Sequence, residues 1–306
     1  MSARTRIWLI VGGVALLAAA GTAGLVTLTR DDAKTKPVAK APPLLLDLGV
    51  RDDAEARAIR RAARLYAQGR RVRARAIFER YDSPEAQVGA AFAAWPDTLA
   101  KLKALPRSVA VVRLHEGVAL AAEGDEQVAR RELLAATRVE PDTPYAVRAD
   151  DFLHPRLAPG LPLFLPSEPY PARLARLSPA AQLAVLAHGR SVADRLRYGA
   201  ALQRLGRPVS ARRVFDLAVR LAPEDPEALT AAAVGRFDKD APAPAFARLG
   251  PLSRRFPRAQ TVRFHLGVLL LWIGDVSDGK RQLRKAWALG PETRLGREAE
   301  RFLQRL

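Results

Sequence analysis

Along most of this chain apolar residues return at helical spacing in short runs, and a glycine or proline stops each run before the next begins. Around Gly267, Phe264, Leu266, Leu270 and Leu271 fall at helical spacing, Gly274 breaks the run, and Leu283, Ala286 and Trp287 resume it. The pattern predicts two short amphipathic helices joined by a turn, and it recurs at a fixed interval, the one that separates Gly199 from Ala233 and Ala233 from Gly267. Gly199 leads Ala211, Phe215, Ala218 and Pro223. One interval later Ala233 heads Ala245, Leu249, Leu252 and Pro257, and one more brings Gly267 with Gly279, Leu283, Ala286 and Pro291. Upstream, Gly117 leads Ala129, Leu133, Ala136 and Pro141 at the same offsets. A single helix pair cannot bury its apolar stripe, so each unit must stack on the next, and about three are needed for a stable core.

Small residues where two helices cross, bulky ones between them and a closing proline make this period similar to the tetratricopeptide repeat, a helix-turn-helix unit of about 34 residues. The resemblance implies an all-α fold, a right-handed α-solenoid of helix pairs, and a protein that binds partners rather than one that reacts. It also implies that the first helix of each unit lines a concave surface. On that reading the groove is lined by Leu114, Val118 and Ala121, by Leu196, Gln203 and Arg204, by Phe237 and Asp238, and by Phe264, Val268, Leu271 and Trp272. Chaperone-binding members hold a terminal carboxylate with lysine and asparagine at such positions, and this chain lacks that set. The implied partner is another protein that presents an amphipathic helix or an apolar peptide segment to the groove. The alternative is that these residues meet neighbouring helices and the domain is a spacer.

The repeat frame runs over 51–306, with clear units near 110–143, 192–225, 226–259 and 260–293. A capping helix over 293–306 carries Leu295, Ala299, Phe302, Leu303 and Leu306. Asp52 or Asp53 caps the first helix, and Ala62, Leu65, Gly69, Ala74 and Phe78 make a degenerate first unit. A truncated unit fits between Ser83 and Leu105, broken by Trp95-Pro96-Asp97. Ser83-Pro84, Thr143-Pro144, Ser178-Pro179 and Asp225-Pro226 each set a capping side chain before a proline, whose missing amide would be unpaired in the first turn anyway. Between Gly117 and Gly199 the spacing exceeds two periods, and the excess falls at His154 to Pro171. That stretch holds six prolines together with Leu161, Leu163, Phe164 and Leu165, and it cannot be helical. It is either a loop whose apolar residues plug the neighbouring groove or an arm offered to a partner. The cost of exposing four apolar side chains favours the plug.

Residues 1–30 read as a transmembrane signal-anchor. Ile7 to Thr29 is an unbroken uncharged run, and at about 1.5 Å per residue it spans a ~30 Å hydrocarbon core. The rival is a cleaved signal peptide with Arg4 and Arg6 at its start and small residues at Ala18 to Ala20. The apolar run continues through Leu25, Val26 and Leu28, which favours the anchor. The expected location is the cell membrane, crossed once, with the repeat domain outside the cytoplasm, although Arg30, Lys34, Lys36 and Lys40 count against that orientation. Ala15, Ala19 and Ala23 share a face and allow a homodimer through this helix. Residues 31–50 read as a flexible linker.

Charge and chemistry narrow the function further. Lys and Arg total 50 against 32 Asp and Glu, a net charge of +18, which should draw acidic partners, nucleic acid or anionic lipid. Arg131, Arg213 and Arg281, and again Arg138, Arg220 and Arg254, fall at equivalent second-helix positions and are expected in two rows on the outer side. With no cysteine there are no disulfides, thiolate metal sites or cysteine nucleophiles. The stretch from Gly274 to Lys280 matches the opening of a phosphate-binding loop, but Arg281 stands where Ser or Thr is required and no strand precedes it. His115 and His265 each sit two positions before a repeat glycine, far apart along a stack, so packing or surface roles are expected. His154 and His188 show no acid or nucleophile arrangement. No enzyme activity, cofactor or metal site is expected. These features predict a membrane-anchored, non-catalytic scaffold for protein-protein interaction in the cell envelope. The alternative is a basic binding module for anionic polymer, nucleic acid or lipid headgroups, with nucleic acid the less expected of these.

Overall fold

A computed structural model describes residues 41–306. The expected anchor and the first half of the linker lie outside the described residues. Among those residues there are sixteen helices and no strand, and no helix is long and apolar enough to cross a membrane. The first half comprises α1 (Ala54–Ala67), α2 (Arg71–Phe78), α3 (Pro84–Ala93), α4 (Thr98–Lys103), α5 (Ala110–Glu123), α6 (Glu126–Val139) and α7 (Pro144–Leu153). Two connecting helices follow, α8 (Ala172–Ala175) and α9 (Pro179–His188). The second half comprises α10 (Val192–Arg204), α11 (Pro208–Leu221), α12 (Pro226–Val234), α13 (Ala243–Arg255), α14 (Gln260–Trp272), α15 (Val276–Ala288) and α16 (Arg294–Arg305).

Local chemistry sets the helix starts. Ser83, Thr143, Ser178 and Asp225 each accept a backbone N–H of the following turn, from Ala86, Ala146, Ala181 and Glu227, with proline at the first helical position. Asp53 caps α1 in the same way through Ala56 N–H. Each such cap is worth about 1 kcal/mol. In three hairpins the glycine that opens the sequence period receives a bulky residue from the second helix. A Cβ at Gly117 would lie 2.8 Å from Leu133, one at Gly199 would lie 2.3 Å from Phe215, and one at Gly267 would lie 2.9 Å from Leu283. The helices therefore cross at a distance that only glycine permits.

A longer repeat overlies that of the helix pairs. Helices α1–α7 and α10–α16 follow one plan: Ala54 corresponds to Val192 and Pro84 to Pro226, and from α5 on the separation between matching helices is constant. Ala110 and Gln260, Glu126 and Val276, and Pro144 and Arg294 open matching helices. Side chains match as well. Arg113 reaches Arg107 O and Glu132, while Arg263 reaches Pro257 O and Gln282. Each half has its own apolar core, one around Phe78, Phe92 and Leu114 and the other around Phe215, Leu249 and Leu269.

Where the halves meet the contacts are polar and close. Asp142 accepts the Ser210 N–H at 2.8 Å and also the Ser210 hydroxyl, so it caps α11, which has no side-chain cap of its own. Gly206 has φ +65 and would place a Cβ 2.6 Å from Pro144 Cα, so only glycine fits that turn.

The linker expectation needs correcting over its C-terminal half. Residues 41–50 are docked on the first half, with Pro42 and Leu48 buried, because Leu44, Leu45 and Leu46 pack against its core.

Candidate functional site

The prolines between His154 and Pro171 hold the chain out of a helix, and residues 161–166 run without helix or turn. Amides in such a stretch have no local acceptor, so they need partners elsewhere. The second half supplies them. Phe164 N–H is accepted by Gln203 Oε1 at 2.8 Å, Leu165 N–H by His265 Nε2 at 2.9 Å and Ser167 N–H by Glu227 at 2.6 Å. The Ser167 hydroxyl also donates to Glu227 at 2.7 Å. In the other direction Gln203 Nε2 donates to Pro162 O at 3.4 Å, and Arg294 donates to Pro166 O and Glu168 O at 3.0 and 3.2 Å. The Phe164 ring stacks on His265 with centroids 4.8 Å apart and meets Phe215 edge-on at 5.5 Å. Its side chain is fully buried. The plug reading of this segment is the one the structure shows.

The first half repeats the arrangement with residues 42–48. Tyr66 donates its hydroxyl to Pro42 O at 2.6 Å, Leu45 N–H is accepted by His115 Nε2 at 3.0 Å, and Asp47 N–H by the Tyr145 hydroxyl at 3.2 Å. The two anchored leucine amides thus meet histidines at equivalent positions of the two halves. Nδ1 of His115 faces Val111 O at 2.7 Å, and Nδ1 of His265 faces Thr261 O at 2.7 Å. A carbonyl can only accept, so Nδ1 carries the hydrogen and Nε2 presents its lone pair to the segment. Burial pushes both histidines down to about 4 from an ordinary 6.5, which keeps them neutral and able to accept at neutral pH. They are buried acceptors, not surface histidines.

Eight of the residues expected to face a ligand divide into two groups. Gln203 and Arg204 do face the inserted segment: Gln203 reads its backbone, and Arg204 donates to the Tyr170 hydroxyl at 3.2 Å. Leu196 and Val268 are buried in the core. Leu271 is turned to α15, where a Cβ at Gly279 would lie 2.7 Å from it. Phe264 packs edge-on against Phe302 of α16 at 6.1 Å, and Trp272 against Phe237 at 6.0 Å. These six meet neighbouring helices and loops, because α14 in particular is covered around nearly its whole circumference. His115, His265, Glu227, Arg294 and Tyr145 were not among the expected site residues. The shared offset of the two histidines from their glycines was the available signal.

A charged cluster ties the halves together beside a cleft of about 280 Å³ lined by Leu134, Leu161, Arg212 and Phe237 among others. His154 does have acidic partners: Nε2 lies 2.8 Å from Asp240 and Nδ1 2.9 Å from an Asp150 oxygen. Burial works to lower the His154 pKa, but the hydrogen bonds to Asp240 and Asp150 outweigh it and raise the net value. The carboxylates of Asp150 and Asp240 and the His154 ring come close enough to hold a cation. Lys239 already supplies positive charge there, its buried ammonium lying 3.8 Å from Asp150 and bonded to Asp151.

Residues 192–234, spanning α10 to α12, match the tetratricopeptide repeat family model. No curated protein matches the chain. Among solved structures, similarity is found to YrrB, described as a TPR protein with an unusual peptide-binding site, at 14% identity over 81% of this chain and 98% of that one, TM-score 0.29. It is also found to a tetratricopeptide repeat protein from Parabacteroides merdae, at 11% identity over 82% and 98%, TM-score 0.35. A third is the C-terminal part of a TPR repeat-containing protein from Cytophaga hutchinsonii, at 11% identity over 79% and 98%, TM-score 0.29.

Proposed function

We propose that this chain is a non-catalytic interaction scaffold, held at a membrane by residues 7–29, whose grooves take extended apolar protein segments. The observation that carries the reading is that both grooves hold such a segment, supplied by the chain itself and bound through backbone hydrogen bonds. Backbone readout combined with apolar side-chain burial is a general mode of peptide recognition. The tetratricopeptide match over 192–234 supports a role in protein-protein contact, and the uninterrupted uncharged run from Ile7 to Thr29 supports attachment to a membrane.

Two measurements test the reading. The full chain should stay with the membrane fraction through high-salt and alkaline washing, with its first residues retained. A photo-crosslinking residue in place of the exposed Pro43, beside the first groove, should capture one defined envelope protein in intact cells. Release by alkali, or a mature terminus near Gly21, would remove the anchor. Crosslinks spread over many abundant proteins would remove the scaffold.

A further inference from the structure

We infer that the first groove is an exchangeable peptide site: its resident segment, residues 42–48, gives way to a partner protein's extended Pro-x-Phe-Leu segment of the kind that residues 162–165 display. The inference rests on the scaffold reading and goes further by naming the ligand. Both occupants align on the histidine that accepts their leucine amide, as Pro42-Pro43-Leu44-Leu45 and Pro162-Leu163-Phe164-Leu165. A proline three positions before the anchored leucine is buried in each case, and its carbonyl accepts a side-chain donor, Tyr66 or Gln203. The groove therefore reads a backbone path, a proline and an apolar side chain, and tolerates different sequences between them.

The fastening of the two occupants differs. Phe164 is buried against His265 and Phe215, whereas Leu44 at the same position is partly exposed. Glu227 accepts two hydrogen bonds from Ser167, whereas its counterpart Glu85 lies 3.1 Å from the Tyr145 hydroxyl and takes none from the segment. Arg294 grips two carbonyls, whereas its counterpart is Pro144, which has no donor. The first occupant thus lacks the aromatic ring and both charged fasteners. A segment carrying phenylalanine at the Leu44 position would bury more apolar surface on the same anchor.

The test uses the full chain in detergent and a fluorescent peptide with the sequence of residues 160–169. The peptide should bind saturably, and at least tenfold more tightly to Leu45→Pro, whose own segment has no amide for His115. The peptide variant with alanine at its phenylalanine should bind at least tenfold more weakly. In the chain without peptide, amide hydrogen exchange should be at least 100-fold faster at 44–47 than at 164–167. Peptide should speed exchange at 44–47 further and leave 164–167 unchanged. Equal protection of the two segments would overturn the inference. So would absence of binding to Leu45→Pro that melts like the parent chain, or peptide effects confined to the second groove. Concentration-dependent dimerisation of Leu45→Pro would overturn it too, by assigning the site to a second copy of this chain. If the envelope protein is still captured from Pro43 while the peptide fails to bind, only the ligand assignment falls. If capture fails while the peptide binds, the scaffold reading falls and the groove chemistry stands.

Discussion

The two halves hold an extended segment by the same device and to different degrees. In each, a buried neutral histidine accepts a leucine amide, and its orientation is set by a carbonyl one turn earlier on the same helix. The second half adds Gln203, Glu227 and Arg294 around the backbone and seats an aromatic ring between His265 and Phe215. The first half offers two tyrosine hydroxyls and a row of half-buried leucines. The shared histidine sets the same register for both segments, and the hydroxyl, amide and charged groups around it differ between the halves. A duplicated architecture thereby fastens two extended segments on one plan with different side chains.

Truncating the two occupants should expose this difference most strongly. Phe164→Ala empties a fully buried ring site and should cost about 3–5 kcal/mol in denaturant unfolding of the full chain. Leu44→Ala removes a partly exposed side chain and should cost about 1 kcal/mol or less. Comparable losses would mean that the two segments are equally embedded.

Acidification should affect both grooves alike, because the histidines are equally buried. Each has a folded pKa of about 4 against an ordinary 6.5. A depressed value means that the unfolded chain takes up the proton first. The contribution is therefore fully present above about 6.5 and is lost as pH falls toward 4, on the order of 3 kcal/mol per histidine. Protonation at Nε2 would also set two donors against each other at Leu45 and Leu165. His154 works in the opposite sense: its raised pKa stabilises the protonated form, so that contribution is present below 6.5 and lost as pH rises through the raised value. Urea unfolding of the full chain across pH 4 to 7 should fall steeply on the acid side. In His265→Gln the acid slope should shrink by about half, and an unchanged slope would exclude the histidines as its source.

Much of the stack was legible in the sequence. The period of the helix pairs placed Gly117 against Leu133, Gly199 against Phe215 and Gly267 against Leu283, since close helix crossings demand a small residue opposite a bulky one. Caps followed by proline located four helix starts. The duplication was hidden, because the separation between matching helices drifts over α1–α4 before it settles from α5 on. The docking of residues 42–48 was hidden as well, since its hydrogen bonds span 70 and 98 residues and an extended segment leaves no helical period. Groove and core could not be told apart on α14, where ten of thirteen residues are buried and no polar face marks a direction.

The smallest contrast concerns the two equivalent glutamates. Glu227 takes both the Ser167 amide and hydroxyl within 2.7 Å, and hydrogen bonds to a charged acceptor are stronger than neutral ones. In Glu227→Gln the amide oxygen can still take the Ser167 N–H while the amide nitrogen donates to the Ser167 hydroxyl, so the variant removes the charge on the acceptor rather than the two contacts. The loss should be about 1–2 kcal/mol, with faster exchange of the Ser167 amide. Glu85 receives at most the Tyr145 hydroxyl at 3.1 Å, and that hydroxyl has Asp47 O as an alternative acceptor at 2.9 Å. Glu85→Gln should therefore cost about 0.5 kcal/mol or less and leave the Asp47 amide as it was. Because both residues occupy the second position of matching helices, α3 and α12, any general effect of removing a helix-start charge is common to both variants and cancels in their difference. What remains measures the charged fastening of the second segment alone, and a difference of zero would reduce the contrast between the grooves to the Phe164 ring and Arg294.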